Sequence, residues 1–179
     1  STGTGSWIEE NLFELGKKNT NNKKIIESYI YQVTKDIELI SIKEKIKNYK
    51  VMDVGTGRQA LALKEIGAKE VTHYDISATN VKQFSNYISN NNLPIKSYQA
   101  DICDENFNNN EKYDFIYLQG VIQHVKSPSK AIKNLSIACN QNGVLWFYYY
   151  QAGPLIHLYS QALRRLLPKN MDPNNLISL

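Results

Sequence analysis

The segment Val51-Met-Asp-Val-Gly-Thr-Gly57 limits what this chain can fold into more than any other part of its 179 residues. A short apolar run closes on a carboxylate, Asp53, and two glycines, Gly55 and Gly57, follow at once with Thr56 between them. Glycines placed between a strand and a helix let the backbone turn tightly and let a ligand approach with no Cβ in the way. A charge at the end of an apolar strand is costly unless something pairs with it. The segment therefore predicts a strand, a tight turn and a helix, with a ligand at the turn.

The surrounding pattern extends that unit into a sheet. Short apolar runs predict strands over 49–53, 70–75, 95–100, 113–118 and 143–150, and helix-like segments over 60–65, 78–90 and 129–139 lie between them. Ser127-Pro128 supplies a start signal for the last helix. Parallel neighbours need right-handed crossovers, so this alternation predicts an α/β fold with a doubly wound, mainly parallel sheet. Ligands in such sheets sit beyond the carboxyl ends of the strands, where the strand order reverses. Upstream, Ile8, Leu12 and Leu15, then Ile25, Ile26, Tyr29, Ile30, Val33, Ile37 and Ile40, keep helical spacing and predict two or three helices. Downstream of Gly153-Pro154, another helical pattern runs from Leu155 to Leu167.

Two further acids fall at strand ends. Asp75 closes the second strand at a distance from the glycines where a carboxylate can accept from a ribose diol. Asp101 closes the third, in Gln99-Ala-Asp-Ile102, where it can accept from an exocyclic adenine amine. The plain alternative is a set of helix N-caps, a position that Asp also favours. One such acid is easily a cap; three at successive strand ends suit a nucleoside site better.

With these residues in hand, the segment from Val51 to Tyr150 resembles the class I S-adenosylmethionine-dependent methyltransferases, especially those acting on small molecules. Asp53-Val-Gly-Thr-Gly57 matches the first motif, Asp75 the ribose-binding acid and Asp101-Ile102 the adenine edge. Tyr113-Asp-Phe-Ile-Tyr-Leu-Gln-Gly-Val-Ile-Gln-His-Val125 looks like the fourth strand and its loop, and Asn142-Gly143 takes the place of the turn before the fifth. The resemblance implies S-adenosyl-L-methionine as cofactor, with Asp53 near the methionine amino group. Gly55, Thr56 and Gly57 would give backbone access, and Asp75, Ile76, Asp101, Ile102 and Gln119 further contacts. It also implies a division into an N-terminal helical lid or extension (1–46), a Rossmann-like binding core (47–152) and a C-terminal helical extension (153–179). Trp7 and Phe13 would then help the first helix close over the cofactor.

The sequence departs from the family pattern in two places. Gln59 stands where many members carry a third glycine, and no pair of strands is recognisable after Tyr150, where the family sheet normally ends in a hairpin. The chain begins without Met and stops at Leu179 where no element has ended, so it reads as a piece of a longer protein that lacks those strands.

Rival readings stay open. Gly55-Thr-Gly-Arg-Gln-Ala60 also satisfies G-x-G-x-x-A, the fingerprint of nicotinamide-dependent oxidoreductases, with Asp75 available for the ribose. A dinucleotide site has no evident use for Asp53 or Asp101, and no Tyr-x-x-x-Lys pair follows the fourth strand. A non-catalytic nucleoside-binding domain is the third reading, since fold does not fix function.

For methyl transfer the protein mainly aligns the reactants and excludes water. Where the acceptor must lose a proton, His124 after the fourth strand is the candidate base, and a loop-packing histidine is its bland alternative. Gln119 and Gln123 are candidates to orient cofactor or acceptor, whereas His73 and His157 read as structural. Tyr148, Tyr149 and Tyr150 read first as core, second as an aromatic wall for the acceptor. No Asn-Pro-Pro-Tyr, Asp-Pro-Pro-Tyr, Pro-Cys or paired-glutamate signature appears, which leaves a small-molecule acceptor ahead of nucleic acid or protein.

Composition agrees with a single soluble domain: 42% hydrophobic, 21% charged and a net charge of +4 with no concentrated basic face. No apolar stretch reaches the roughly 20 residues of a membrane helix, and the first residues do not read as a secretory signal, so the expected setting is cytoplasmic. Cys103 and Cys139 lie in no ligand pattern and read as buried apolar residues, with neither disulfide nor metal expected. The sequence leaves the oligomeric state open.

Overall fold

Between Lys50 and Tyr148 the chain alternates strand and helix, and the residue pattern explains which face each element buries. The computed structural model describes residues 20–149. Strands β1 (Lys50–Val54), β2 (Glu70–Asp75), β3 (Ile95–Gln99), β4 (Tyr113–Gln119) and β5 (Cys139–Tyr148) form one parallel sheet in the order β3-β2-β1-β4-β5. Helices α1 (Thr20–Leu39), α2 (Arg58–Glu65), α3 (Ala78–Asn90) and α4 (Pro128–Ala138) accompany it. A parallel sheet covered on both faces needs central strands apolar on both sides. Val51, Phe115 and Tyr117 enter one buried cluster with α1, α2 and α3, while Met52, Val54, Ile116 and Leu118 enter the other with α4. By the period of two, Asp53 shares the face of Val51, beneath α2.

α1 buries Val33 and Ile37, with Tyr29 and Ile30 partly covered, which is the helical spacing its sequence carries. The described part of the N-terminal region holds this helix and a short 3-10 turn, Lys43–Asn48, in place of a further α-helix. α3 starts on a true cap, the Ser77 hydroxyl accepting from the Asn80 N–H at 3.3 Å. α4 starts on Pro128, whose missing N–H costs nothing in a first turn.

β5 corrects the expected boundary. It opens at Cys139 rather than Gly143, and its register against β4 slips between Tyr113 and Phe115, so Asn142-Gly143 lies inside the strand at a bulge and not in a turn before it. Gly143 suits that place, because a Cβ there would stand 2.7 Å from the Cys139 sulfur. Cys139 is accordingly half-buried, while Cys103 is buried as expected.

Strand order reverses between β1 and β4, since β2 and β3 extend to one side and β4 and β5 to the other. The crevice predicted for a ligand is therefore at the carboxyl ends of β1 and β4. Among the described residues no helix is long and apolar enough to cross a membrane, and no group of His, Cys, Asp or Glu is placed to hold a metal ion. Trp7, Phe13, Tyr150, His157 and the helical pattern from Leu155 lie outside the described residues.

Candidate functional site

The site begins with the backbone after β1. Gly55 and Gly57 adopt φ values of 141° and 87°, which L side chains rarely reach. The Gly55 N–H donates to the Tyr74 carbonyl at 3.0 Å, and the Gly57 carbonyl accepts from Leu61 at 3.2 Å as α2 begins. A Cβ on Gly57 would meet the Phe84 ring of α3 at 2.8 Å. Phe84 in turn stands edge-on to His73 on β2, with ring centroids 4.7 Å apart. His73 is fully buried, with Nε2 against the Gly55 carbonyl and Nδ1 against the Ser97 hydroxyl. A carbonyl only accepts, so Nε2 carries the proton and Nδ1 accepts from Ser97. Burial holds the His73 pKa below its ordinary value, against the opposing pull of the Gly55 bond and Asp75. A neutral histidine thus braces the glycine turn from below, in keeping with its structural reading.

Asp53 lies directly under this turn and is 1% exposed. Its Oδ2 accepts the Ala60 N–H of α2 at 3.2 Å, and its Oδ1 has no partner among the described residues. Burial pushes its pKa up to about 8; the Ala60 bond works against this, and the Asp75 carboxylate adds to it. An enclosed carboxylate oxygen without a donor is a costly feature that a cationic ligand group would relieve.

The other candidate acids stand at the same edge of the sheet. Asp75, at the end of β2, accepts the Ser77 N–H on Oδ1 at 2.7 Å and the Asn80 side-chain amide on Oδ2 at 3.0 Å. These bonds fix the carboxylate's direction and use one lone pair on each oxygen. Asp101 is two residues beyond β3, not at its end, and its Oδ1 accepts the Cys103 N–H at 2.9 Å. The two acids are part of local turn chemistry as well as ligand candidates. Of the apolar residues beside them, Ile76 is 60% exposed, whereas Ile102 is buried with its carbonyl accepting from Asn134 at 3.0 Å. An exposed isoleucine at a strand end offers a flat apolar surface to a ring.

At the end of β4, Gln119 accepts the Gln59 side-chain amide at 2.6 Å. Gln59, in the place of a third glycine, thus ties the first turn of α2 to the far wall of the crevice. His124 closes a short 3-10 turn, Ile122–His124, and is exposed, while both amide atoms of Gln123 are enclosed without a partner among the described residues. Tyr148 and Tyr149 are 51% and 54% exposed, which removes the core reading for these two.

Sequence reasoning passed over Arg58. It opens α2 beside Gly57, donates from Nη1 to the Tyr29 hydroxyl at 2.8 Å and lies 5.6 Å over the Tyr29 ring. Its Nε and Nη2 are enclosed and unpartnered among the described residues. The signal was present as a charge flanking a glycine turn, though nothing in one sequence tells where a long side chain points.

Residues 52–147, more than half of the chain, match the family described as a methyltransferase domain. The chain belongs to that family. It is a member of the class I, Rossmann-like S-adenosylmethionine-dependent methyltransferases, and the parallel sheet with its flanking helices agrees with the α/β fold expected from the sequence. Comparison with the sequences of curated proteins finds no match.

Solved structures share the methyltransferase fold. The YcgJ protein of Bacillus subtilis superposes with a TM-score of 0.55 at 20% identity, over 66% of this chain and 52% of that one. An S-adenosylmethionine-dependent methyltransferase of Clostridium acetobutylicum gives 0.55 at 17% identity, over 78% and 54%. Coclaurine N-methyltransferase, bound to N-methylheliamine and S-adenosylhomocysteine, gives 0.51 at 21% identity, over 62% and 34%. At these identities the likeness is one of fold, and the chain spans about half the length or less of these proteins.

Proposed function

We propose that this chain binds S-adenosylmethionine in the crevice between β1 and β4, and that the protein moves the methyl group to an oxygen, nitrogen or carbon nucleophile of a small molecule. The observation that carries this reading is Asp53, buried under the glycine turn with Oδ1 lacking a donor. An α-ammonium group supplies the positive donor that oxygen lacks. A dinucleotide's pyrophosphate offers only acceptors and would leave the carboxylate facing like charge, which weighs against the nicotinamide reading. The family match and the S-adenosylhomocysteine bound in coclaurine N-methyltransferase support the same cofactor.

When bound, the cofactor supplies a methyl group on a sulfonium, already a good leaving group. The chain's own residues then bind and orient. Asp53 holds the amino group, and Gly55, Thr56 and Gly57 leave room for close backbone approach. Asp75 accepts from the ribose hydroxyls, and Ile76 and Ile102 flank the adenine, with Asp101 taking its exocyclic amine. Gln119, held by Gln59, orients the cofactor or the acceptor. His124, exposed just past β4, takes a proton from an acceptor that must lose one.

Calorimetric titration with S-adenosylhomocysteine and with NADH separates the readings. Binding of S-adenosylhomocysteine with none of NADH is expected, and the reverse would overturn the cofactor assignment. Absence of methyl transfer in an acceptor screen with the full-length protein, despite cofactor binding, would favour the non-catalytic alternative.

A further inference from the structure

Four polar side chains stand side by side across the sheet. Ser97 on β3, His73 on β2, Asp53 on β1 and Tyr117 on β4 occupy one register row, all on the face that α1, α2 and α3 cover. An apolar residue would fill the place of His73 at less cost, since a buried imidazole needs a partner for each nitrogen. Ser97 meets Nδ1 at 2.8 Å, Phe84 stands against the ring, and Nε2 donates to the Gly55 carbonyl. The next residue of β2, Tyr74, takes the Gly55 N–H on its own carbonyl at 3.0 Å. Consecutive residues of β2 therefore hold both peptides that flank Gly55.

The second of these holds has a consequence on the far side of the turn. In a trans peptide the C=O and the following N–H point in opposite directions. Drawing the Gly55 carbonyl toward β2 therefore aims the Thr56 N–H away from β2, the side of β1 on which the crevice with β4 lies. Among the described residues that N–H meets no acceptor. Without a side chain at Gly55, whose φ is 141°, little else prevents this peptide from turning over.

We propose that His73, steadied by Ser97, is a positioning residue for ligand binding, which fixes the Gly55–Thr56 peptide in one orientation before the ligand arrives. The ligand's identity rests on the S-adenosylmethionine reading above, whereas the held peptide is a property of the ligand-free chain. Ordering the turn in advance removes a cost that binding would otherwise meet.

The full-length wild type, His73→Phe, His73→Gln and Ser97→Ala are compared by nuclear magnetic resonance, calorimetric titration with S-adenosylhomocysteine and urea unfolding. In the ligand-free wild type the His73 ring proton is expected on Nε2, protected from exchange. His73→Phe keeps the ring and its contact with Phe84 but loses the donor; it is expected to shift the Thr56 amide signal and to weaken binding by about three- to tenfold, the scale of one hydrogen bond. His73→Gln, which carries an amide N–H toward the same carbonyl, is expected to restore most of the affinity, and Ser97→Ala to lose a smaller part of it. A wild-type ring proton on Nδ1, which no variant need fold to reveal, would overturn the proposal. So would a His73→Phe protein with a lower urea midpoint but an unchanged Thr56 signal and unchanged affinity, the result of a histidine that only packs. A wild type that binds no S-adenosylhomocysteine, yet shows the Nε2 proton and the Thr56 shift on substitution, would support the held peptide and sink the cofactor reading instead.

Discussion

Asp53 shows how one buried group links fold to ligand. With a pKa pushed to about 8, it is mostly neutral in the ligand-free chain at neutral pH. An ammonium group placed against Oδ1 favours the carboxylate, so cofactor binding at pH 7 must expel a proton. Titrating S-adenosylhomocysteine in buffers of different ionisation enthalpy is expected to reveal release of a fraction of a proton approaching one. Asp53→Asn should abolish that release and weaken binding by roughly 10- to 100-fold, as expected on losing a charge-assisted bond. Unchanged proton release in Asp53→Asn would place the titrating group elsewhere. This acid was legible from the sequence because a charge inside an apolar strand end needs a reason. Its unmet oxygen was not, since that depends on α2 bringing only one N–H within reach.

At the scale of elements, the sequence carried the strands and helices closely, because the central strands are apolar on both faces and the helices carry their spacing. α3 appears with the expected ends, and α2 begins two residues before the expected Ala60. The miss at β5 has a local cause. A bulge needs a partner strand to be defined against, and the Asn-Gly pair that marks a turn in isolation is also suited to a bulge. Contacts between distant elements were equally hidden, and the bond between α1 and β4 is the clearest of them. The Tyr117 hydroxyl donates to Asp36 at 2.6 Å, and Tyr117 is fully buried whereas Asp36 is partly open to water. Burial and this neighbouring acid both hold the Tyr117 pKa far above its ordinary value, so the phenol stays a donor at all working pH. The two partners should then respond unequally to removal. Tyr117→Phe leaves an acid that water can solvate and should cost about 1 kcal/mol, while Asp36→Ala strands a buried hydroxyl and should cost about 1–3 kcal/mol. Urea unfolding checks the order, and faster amide exchange along α1 in both variants would locate the loss. An equal effect of the two would show that the hydroxyl finds another acceptor.

For the folded unit as a whole, the groups buried at the glycine turn set opposing demands on pH. Asp53 has a folded pKa raised from 3.8 to about 8, so its contribution to stability is complete in acid and declines as pH rises toward and through 8. His73 has a folded pKa held below 6.5, so its contribution is present above 6.5 and lost as pH falls. Between pH 4 and 6.5 the two slopes oppose each other; above 6.5 only the aspartate still acts. Glu111 and Glu38, both lowered from 4.5, exert their effect at more acid pH and leave this upper window clear. Stability of the ligand-free protein is therefore expected to fall between pH 6.5 and 8, by at most about 2 kcal/mol given 1.36 kcal/mol per pKa unit. Urea midpoints taken across that interval test this, with Asp53→Asn as the comparison, because an amide has no proton to lose and should give a flat line. Saturating S-adenosylhomocysteine should flatten the wild-type curve in the same way, since the ammonium then pairs with the carboxylate charge that desolvation had opposed. A wild type as flat as Asp53→Asn without ligand would mean that the acid is already ionised and paired in the free protein, and the case for a cation-seeking site at this turn would fall with it.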